Sequence, residues 1–354
     1  MFSRQVFGFV YLRELHTILR NSKTQSLSAI EIFDIIGIII DIRKDIAQKM
    51  KHIFIINSVS KSKRKRKKLF NHIIDVCNNE KIDYDIYFTQ GSGDAYRYAR
   101  EIALTGQPVR FYGCGGDGTV NEMASAVAGI PTAQFTVIPI GSGNDFIRNF
   151  GTKENYMDIV SLIYGKAVTI DLIKINDRYC ANIMNIGFDR RVVSATNRVK
   201  KTKIISGQAA YYTGVILSLV FMKKEFLHFT FEDGSQSTNR LLLTLFANGC
   251  YYGSGFKACA EANLFDGMLD MMVVPPVGRL KFISLLGQYR KGSIMSTEFG
   301  KDNILYKKCR ELTVSRATPI RYCLDGEILS ANEIHISMEP AAAHFVVPAD
   351  VSLE

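Results

Sequence analysis

The sequence predicts an α/β fold in two parts: a doubly wound domain, then a mostly antiparallel β domain, with a site in the cleft between them. Three observations carry this. From residue 51, apolar runs short enough for strands alternate with segments of helical spacing. Two of those strands end in glycine-rich turns. After about residue 165 the alternation gives way to short β-branched segments with few helices between them.

The elements follow in order. Residues 1–50 fit neither pattern; they read as helical, mixed in polarity, and as an appendage or upstream-start artefact ahead of a clean first strand. HIFIIN at 52–57 is a continuous apolar run suited to a buried parallel strand. A helix over 66–80, a strand at Tyr84–Thr89 and a helix over Asp94–Thr105 come next, the last closed by Gly106 and Pro108. Strands at 109–112 and 135–139 each run into a glycine turn, and a helix is expected from Thr119. This defines a first domain over 51–165. A β-rich domain over 166–330 is read from segments 168–175, 179–186, 226–232, 240–248, 269–274, 311–316 and 319–324. A further strand at 333–338 belongs to a C-terminal segment, 331–354, that returns toward the first domain.

Composition excludes several classes. The 354 residues are 47% hydrophobic and 22% charged, too apolar for a disordered chain. The seven cysteines are scattered with no C-x-x-C pair, which argues against a disulfide framework or zinc site and for a reducing, cytoplasmic setting. The net charge of +10 is concentrated in KSKRKRKK at 61–68. A solvated surface loop is the first reading of that tract, and attraction to anionic phospholipid headgroups the second. No aromatic residue interleaves the cations, so nucleic acid is not an expected partner. The uncharged stretch at 204–222 is diluted by polar residues and reads as a core helix or the lining of an apolar cleft, not a membrane span.

The chemistry lies in the turns. VRFYGCGGDGTVNE at 109–122 ends a strand, turns on glycines and opens a helix, so backbone N–H groups and the helix dipole converge on one spot suited to phosphate. Asp117 inside the turn would repel phosphate unless a cation lay between them, which implies bridging Mg²⁺. The formal G-x-G-x-x-G at 113–118 lacks the acidic partner of a dinucleotide site, and no Walker lysine is present. VIPIGSGNDFIRNFG at 137–151 repeats the strand, glycine turn and acid, here Asp145. Loops at the carboxyl ends of neighbouring parallel strands share one crevice, so the two turns predict a metal–nucleotide site in a doubly wound nucleotide-binding domain.

At these residues the sequence resembles the diacylglycerol kinase catalytic-domain family, which includes bacterial lipid kinases and sphingosine kinases. GGDGTVNE at Gly115–Glu122 looks like its signature, and IPIGSGNDF at Ile138–Phe146 its second motif. NGCYYGSGFKACAEANLFDGMLD at Asn248–Asp270 resembles the third motif and LDGE at Leu324–Glu327 the fourth. The resemblance implies an ATP- and Mg²⁺-dependent lipid kinase, with diacylglycerol as the expected acceptor, working at the inner membrane face as a peripheral protein. Gly115, Gly116, Asp117, Gly118, Thr119, Val120 and Asn121 would cradle the phosphates, with further contacts from Thr89 and Ser142. Asp117 and Asp145 would hold the catalytic Mg²⁺ network. Glu327 would be the base facing the lipid hydroxyl, with Asp325 beside it. Asp266, with the carbonyls of Asn263 and Met268, would bind a second, structural Mg²⁺.

Two rivals remain at this stage: an NAD kinase-like enzyme sharing the GGDGT turn, and a catalytically dead membrane adaptor. Loss of Asp117, Asp145 or Glu327 would mark the adaptor, and all three are present. The sequence does not specify an oligomeric state, a homodimer included.

Overall fold

The computed structural model describes residues 38, 41–58, 63–141, 143–187, 225–324 and 327–353. Ser142, Asp325 and the apolar stretch at 204–222 therefore lie outside the described residues.

The first half is a parallel sheet with helices on it. β1 (Lys51–Ile56), β2 (Tyr84–Phe88), β3 (Val109–Gly115) and β4 (Ala133–Pro139) pair in parallel in the order β4-β3-β1-β2. Every residue of β3 is buried, as are all but the first of β1, which is why these strands read as unbroken apolar runs. Helices α2 (Lys63–Glu80), α3 (Asp94–Ala103) and α4 (Asp117–Val127) complete the crossovers.

Two expectations need correction here. From Lys63 the basic tract is not a loop but the opening of α2. Six cations at a helix N-terminus oppose the helix dipole. Burial of Leu69, Ile73 and Cys77, spaced four apart along one face, holds the helix in place. The end of the N-terminal appendage is also part of the first core. Residues 41–49 form a helix, α1, and Ala47 and Met50 are buried. The Ala47 carbonyl bonds His52 Nε2 at 3.0 Å, and Arg43 donates to the Tyr164 carbonyl at 3.4 Å.

After the short helix α5 (Ile159–Ile163) the chain becomes antiparallel: β5 (Lys166–Ile175), β6 (Arg178–Cys180), β7 (Ile183–Gly187), β8 (Glu225–Phe231), β9 (Gln236–Leu241), β10 (Leu243–Ala247) and β11 (Leu269–Val274). The segment expected as one strand at 179–186 is two, β6 and β7. The segments expected at 311–316 and 319–324 are one strand, β13 (Glu311–Leu324), whose register slips between Ser315 and Ile320, around Pro319. The helices α6 (Arg279–Lys291) and α7 (Glu298–Asn303) and the strand β12 (Leu305–Cys309) were not anticipated. The period of α6 is hidden because Leu280 and Ile283 face outward while Leu285, Leu286 and Tyr289 turn toward the core.

One strand joins the halves. β14 (Glu327–Val347) runs antiparallel to β13 in the second domain, then enters the first, where His344 and Phe345 pair in parallel with Gln134 and Phe135 of β4. β5 follows it along both domains, with a register break between Glu339 and Ala343. The buried carboxylate of Asp171 fixes that break, accepting from Ala341 N at 2.8 Å, and Ala341 itself adopts φ +52°.

Candidate active site

The two glycine turns touch. Gly115 closes β3 directly beneath the Thr119 side chain, which leaves no room for a Cβ. Its carbonyl accepts from Ile140 N at 3.0 Å and Gly141 N at 2.9 Å, tying the second turn to the first. A Cβ on Gly141 would lie 2.5 Å from Gly116 Cα, so the close approach of the turns requires glycine. Gly116 caps α4, its carbonyl accepting from Thr119 N and Val120 N. The helix starts at Asp117, two residues earlier than expected, so its first unpaired N–H groups belong to the turn itself. The second turn opens a short 3₁₀ turn, Phe146–Asn149.

The acids are linked through the backbone. Asp117 Oδ2 accepts from Asn144 N at 2.8 Å, and its Oδ1 from Asp145 N at 2.6 Å and Phe146 N at 3.4 Å. Gly143 lies against the same carboxylate, where a side chain would collide. Asp145 Oδ2 accepts from Ser254 N of the second domain at 2.7 Å. Its Oδ1 is buried without a hydrogen bond, and Arg148 Nε lies 3.3 Å away as an ion pair without hydrogen-bond alignment. Burial pushes the Asp145 carboxyl up to about 7, reinforced by the charge of Asp117. Burial raises Asp117 as well, opposed by the amides it accepts from. A buried carboxylate oxygen lacking a donor, beside a second acid, fits a Mg²⁺ completed by phosphate oxygens and water.

The other expected residues divide between wall and scaffold. Thr89 and Thr119 are buried: Thr89 Oγ1 accepts from Ser58 N at 3.2 Å and Thr119 Oγ1 from Asn57 Nδ2 at 3.3 Å, fixing the loop after β1 over the turn. The Val120 side chain is core, leaving its backbone to the turn. Asn121 departs from its expected role. Its side chain donates to the Tyr179 carbonyl at 3.2 Å and accepts from Ala181 N at 3.1 Å, binding α4 to the β6–β7 link between the domains. That use depends on a contact 60 residues away and left no signal in the local motif.

Glu327 reaches this edge from the second domain. Ser92 Oγ donates to its Oε1 at 3.3 Å and Arg178 to its Oε2 at 3.4 Å, with both charged side chains over half exposed. Gly93, next to Ser92, donates to Glu122 of α4 at 3.1 Å. Glu327 thus faces the loop after β2, adjoining Thr89. Arg178 was not anticipated; only the β5–β6 hairpin brings it here.

The expected second Mg²⁺ set is arranged otherwise. Asp266 Oδ1 accepts from Met268 N at 3.1 Å and its Oδ2 pairs with Lys308 Nζ at 2.7 Å, while the Asn263 side chain accepts from Phe265 N. Lys308 also meets Asp270 Oδ2 at 3.3 Å and the Glu261 carbonyl at 3.4 Å. Asp270 is fully buried, takes a hydrogen bond from Tyr306, and faces Lys308 across β11 and β12. The one carboxylate of the set is satisfied by an amide and an ammonium, so these residues do not fit a second Mg²⁺. Lys308 stands where the cation was expected. Among the described residues no group of three or more His, Cys, Asp or Glu converges as a ready metal cage.

Residues 51–175 match the diacylglycerol kinase catalytic domain, and residues 182–347 the YegS C-terminal NAD kinase beta sandwich-like domain. The chain is 30% identical over 266 residues to a Pectobacterium atrosepticum protein named "Probable lipid kinase YegS-like", covering 74% of this chain and 85% of that one. A Yersinia enterocolitica protein of the same name is 28% identical, covering 78% and 90% of the two chains. The crystal structure of a diacylglycerol kinase from Bacillus anthracis str. Sterne superposes with a TM-score of 0.64 at 19% identity, over 86% of this chain and 98% of that one, which shows a common fold. The chain belongs to the diacylglycerol kinase catalytic-domain family and is a kinase, a phosphotransferase that takes phosphate from ATP and delivers it to an alcohol group.

Proposed function

We propose that this lipid kinase moves the γ-phosphate of ATP to the free hydroxyl of diacylglycerol, giving phosphatidic acid. One observation supports it above the rest: Asp117 ties together the two glycine turns while Glu327, from the other domain, bonds Ser92 at the same sheet edge. The triphosphate lies over Gly115–Thr119, along the amides of the first turn. Asp145, whose Oδ1 is buried without a hydrogen bond, would hold Mg²⁺, which would supply charge neutralisation at the phosphates. The lipid oxygen attacks the γ-phosphorus as the bond to the bridging oxygen breaks, and that oxygen's electron pair leaves with ADP. Glu327 accepts the hydroxyl proton late in the step, as the bond to phosphorus forms. Arg178 orients the Glu327 carboxylate from one side and Ser92 from the other.

The same reading makes the protein peripheral to an anionic membrane surface, with Lys63–Lys68 of α2 supplying attraction to headgroups. Among the described residues no helix is long and apolar enough to cross a membrane.

The NAD kinase-like character of the domain matched over 182–347 keeps one second reading in play, a soluble nucleotide as the acceptor. Labelled γ-phosphate from ATP, offered to a panel of diacylglycerol, sphingoid base, polyprenol and NAD, decides between them. The expected product is phosphatidic acid, with Glu327→Gln slower by about 10²–10⁴-fold. Label on NAD alone, or full turnover by Glu327→Gln, would overturn the assignment.

A further inference from the structure

We infer that the outer face of α6 is a docking surface for an anionic bilayer, placed so that docking brings the crevice to the lipid. This rests on the lipid-kinase reading above and names the surface by which that site meets its substrate. Leu280 is 85% exposed and Ile283 55%, one helical turn apart, and Gly287 continues the same stripe. Single exposed apolar side chains are ordinary, whereas two side by side on a helix that already buries another face are a patch with a purpose. The 13 residues of the helix hold no acid and four cations, Arg279 and Lys281 at one end, Arg290 and Lys291 at the other. An apolar stripe bracketed by cations is complementary to a surface with an anionic headgroup layer over hydrocarbon, and to little else.

Position ties this face to the site. The Arg290 carbonyl accepts from Lys257 N at 3.0 Å, and Tyr289 packs against Tyr252 and Phe256. The loop they hold is the one whose Ser254 N bonds Asp145. The C-terminal end of α6 therefore sits one loop away from the acid pair.

The test is co-sedimentation of the full chain with vesicles of phosphatidylcholine, alone or mixed with phosphatidylglycerol. The probes are Leu280→Ser/Ile283→Ser and Arg279→Gln/Lys291→Gln. Removing the two apolar side chains is expected to weaken binding to both vesicle types by about tenfold or more. Neutralising the two cations is expected to cost about fivefold each on anionic vesicles only. Turnover of a short-chain, water-dispersed diacylglycerol should be unchanged in both variants, which also reports that they are folded. Vesicle binding equal to wild type in both variants would overturn the inference. So would unchanged vesicle binding together with a shift from dimer to monomer in light scattering, which would make the face a contact between copies. Wild-type protein that binds vesicles through these residues yet phosphorylates no lipid would defeat the functional reading and leave the docking face standing.

Discussion

Two acid pairs in this molecule have opposite fates. Asp266 and Asp270, at the end of the third motif, receive a cation from the chain itself: Lys308 Nζ lies 2.7 Å from one and 3.3 Å from the other. Asp117 and Asp145 receive amides, and Asp145 Oδ1 has only a misaligned ion pair with the partly exposed Arg148, 3.3 Å away, and no hydrogen bond. Asp270 and Asp145 are both buried, and burial raises both carboxyls, that of Asp145 to about 7, while Lys308 and Tyr306 oppose the rise at Asp270. The comparison teaches how to tell a structural acid from a working one. Where the chain's cation is hydrogen-bonded to the acid, the acid holds the fold; where the cation stands unaligned and a buried oxygen keeps no hydrogen bond, a ligand can bring the missing partner.

The sharpest way to break that contrast is Asp145→Asn. It keeps an acceptor for Ser254 N but removes the charge, and kcat should fall by about 10²–10³-fold in a labelled-ATP assay. A smaller fall would mean that Asp145 only holds the loop. Lys308→Met probes the other pair, leaving the fully buried Asp270 without its cation. Lys308 retains 35% side-chain exposure, so roughly 2–3 kcal/mol of stability should be lost by urea unfolding, below the ~3–5 of a fully buried pair. Added Mg²⁺ that restored wild-type stability in this variant would show that the pocket can also take a divalent ion.

A pH series separates the pairs further. Asp145 binds its proton more tightly folded than unfolded, so its contribution to stability without ligands is fully present below the ordinary carboxylate value and is lost as pH rises toward about 7, by at most about 1.4 kcal/mol per unit. Asp145→Asn should flatten that slope and Lys308→Met should not, as read by melting temperature across the range. The smallest effect is expected for Arg178→Ala. Its ion pair with Glu327 is over half exposed, so turnover should drop no more than about fivefold, and less at high salt.

What the sequence revealed follows from how local each signal is. β1, β3 and β4 are buried on both faces, so their apolar runs were plain, and the glycine turns are contiguous motifs whose strictness is explained by backbone contact at Gly116 and Gly141. Asp117 and Asp145 were legible for the same reason. Lys308, Arg178 and the true partners of Asn121 were not, because each acts across a pairing set elsewhere in the chain: β11 with β12, β5 with β6, α4 with the β6–β7 link. The helix α6 escaped because apolar residues on two faces erase the period that marks a helix. The basic tract was misplaced because cations carry no signal for a helix start, and the residues that hold α2 in place lie downstream of it.

The 21 residues of β14 have a mechanical consequence. Enzymes that clamp two substrates by swinging one lobe over another need a joint, and here both lobes are stitched to a single ribbon that is hydrogen-bonded to neighbours in each lobe. Opening would tear a ladder, so the spacing between donor and acceptor is set when the chain folds rather than when substrate arrives. Flexing concentrates where the β5–β14 ladder breaks, next to Ala341, where Asp171 acts as a rivet. Such a protein works as a fixed jig.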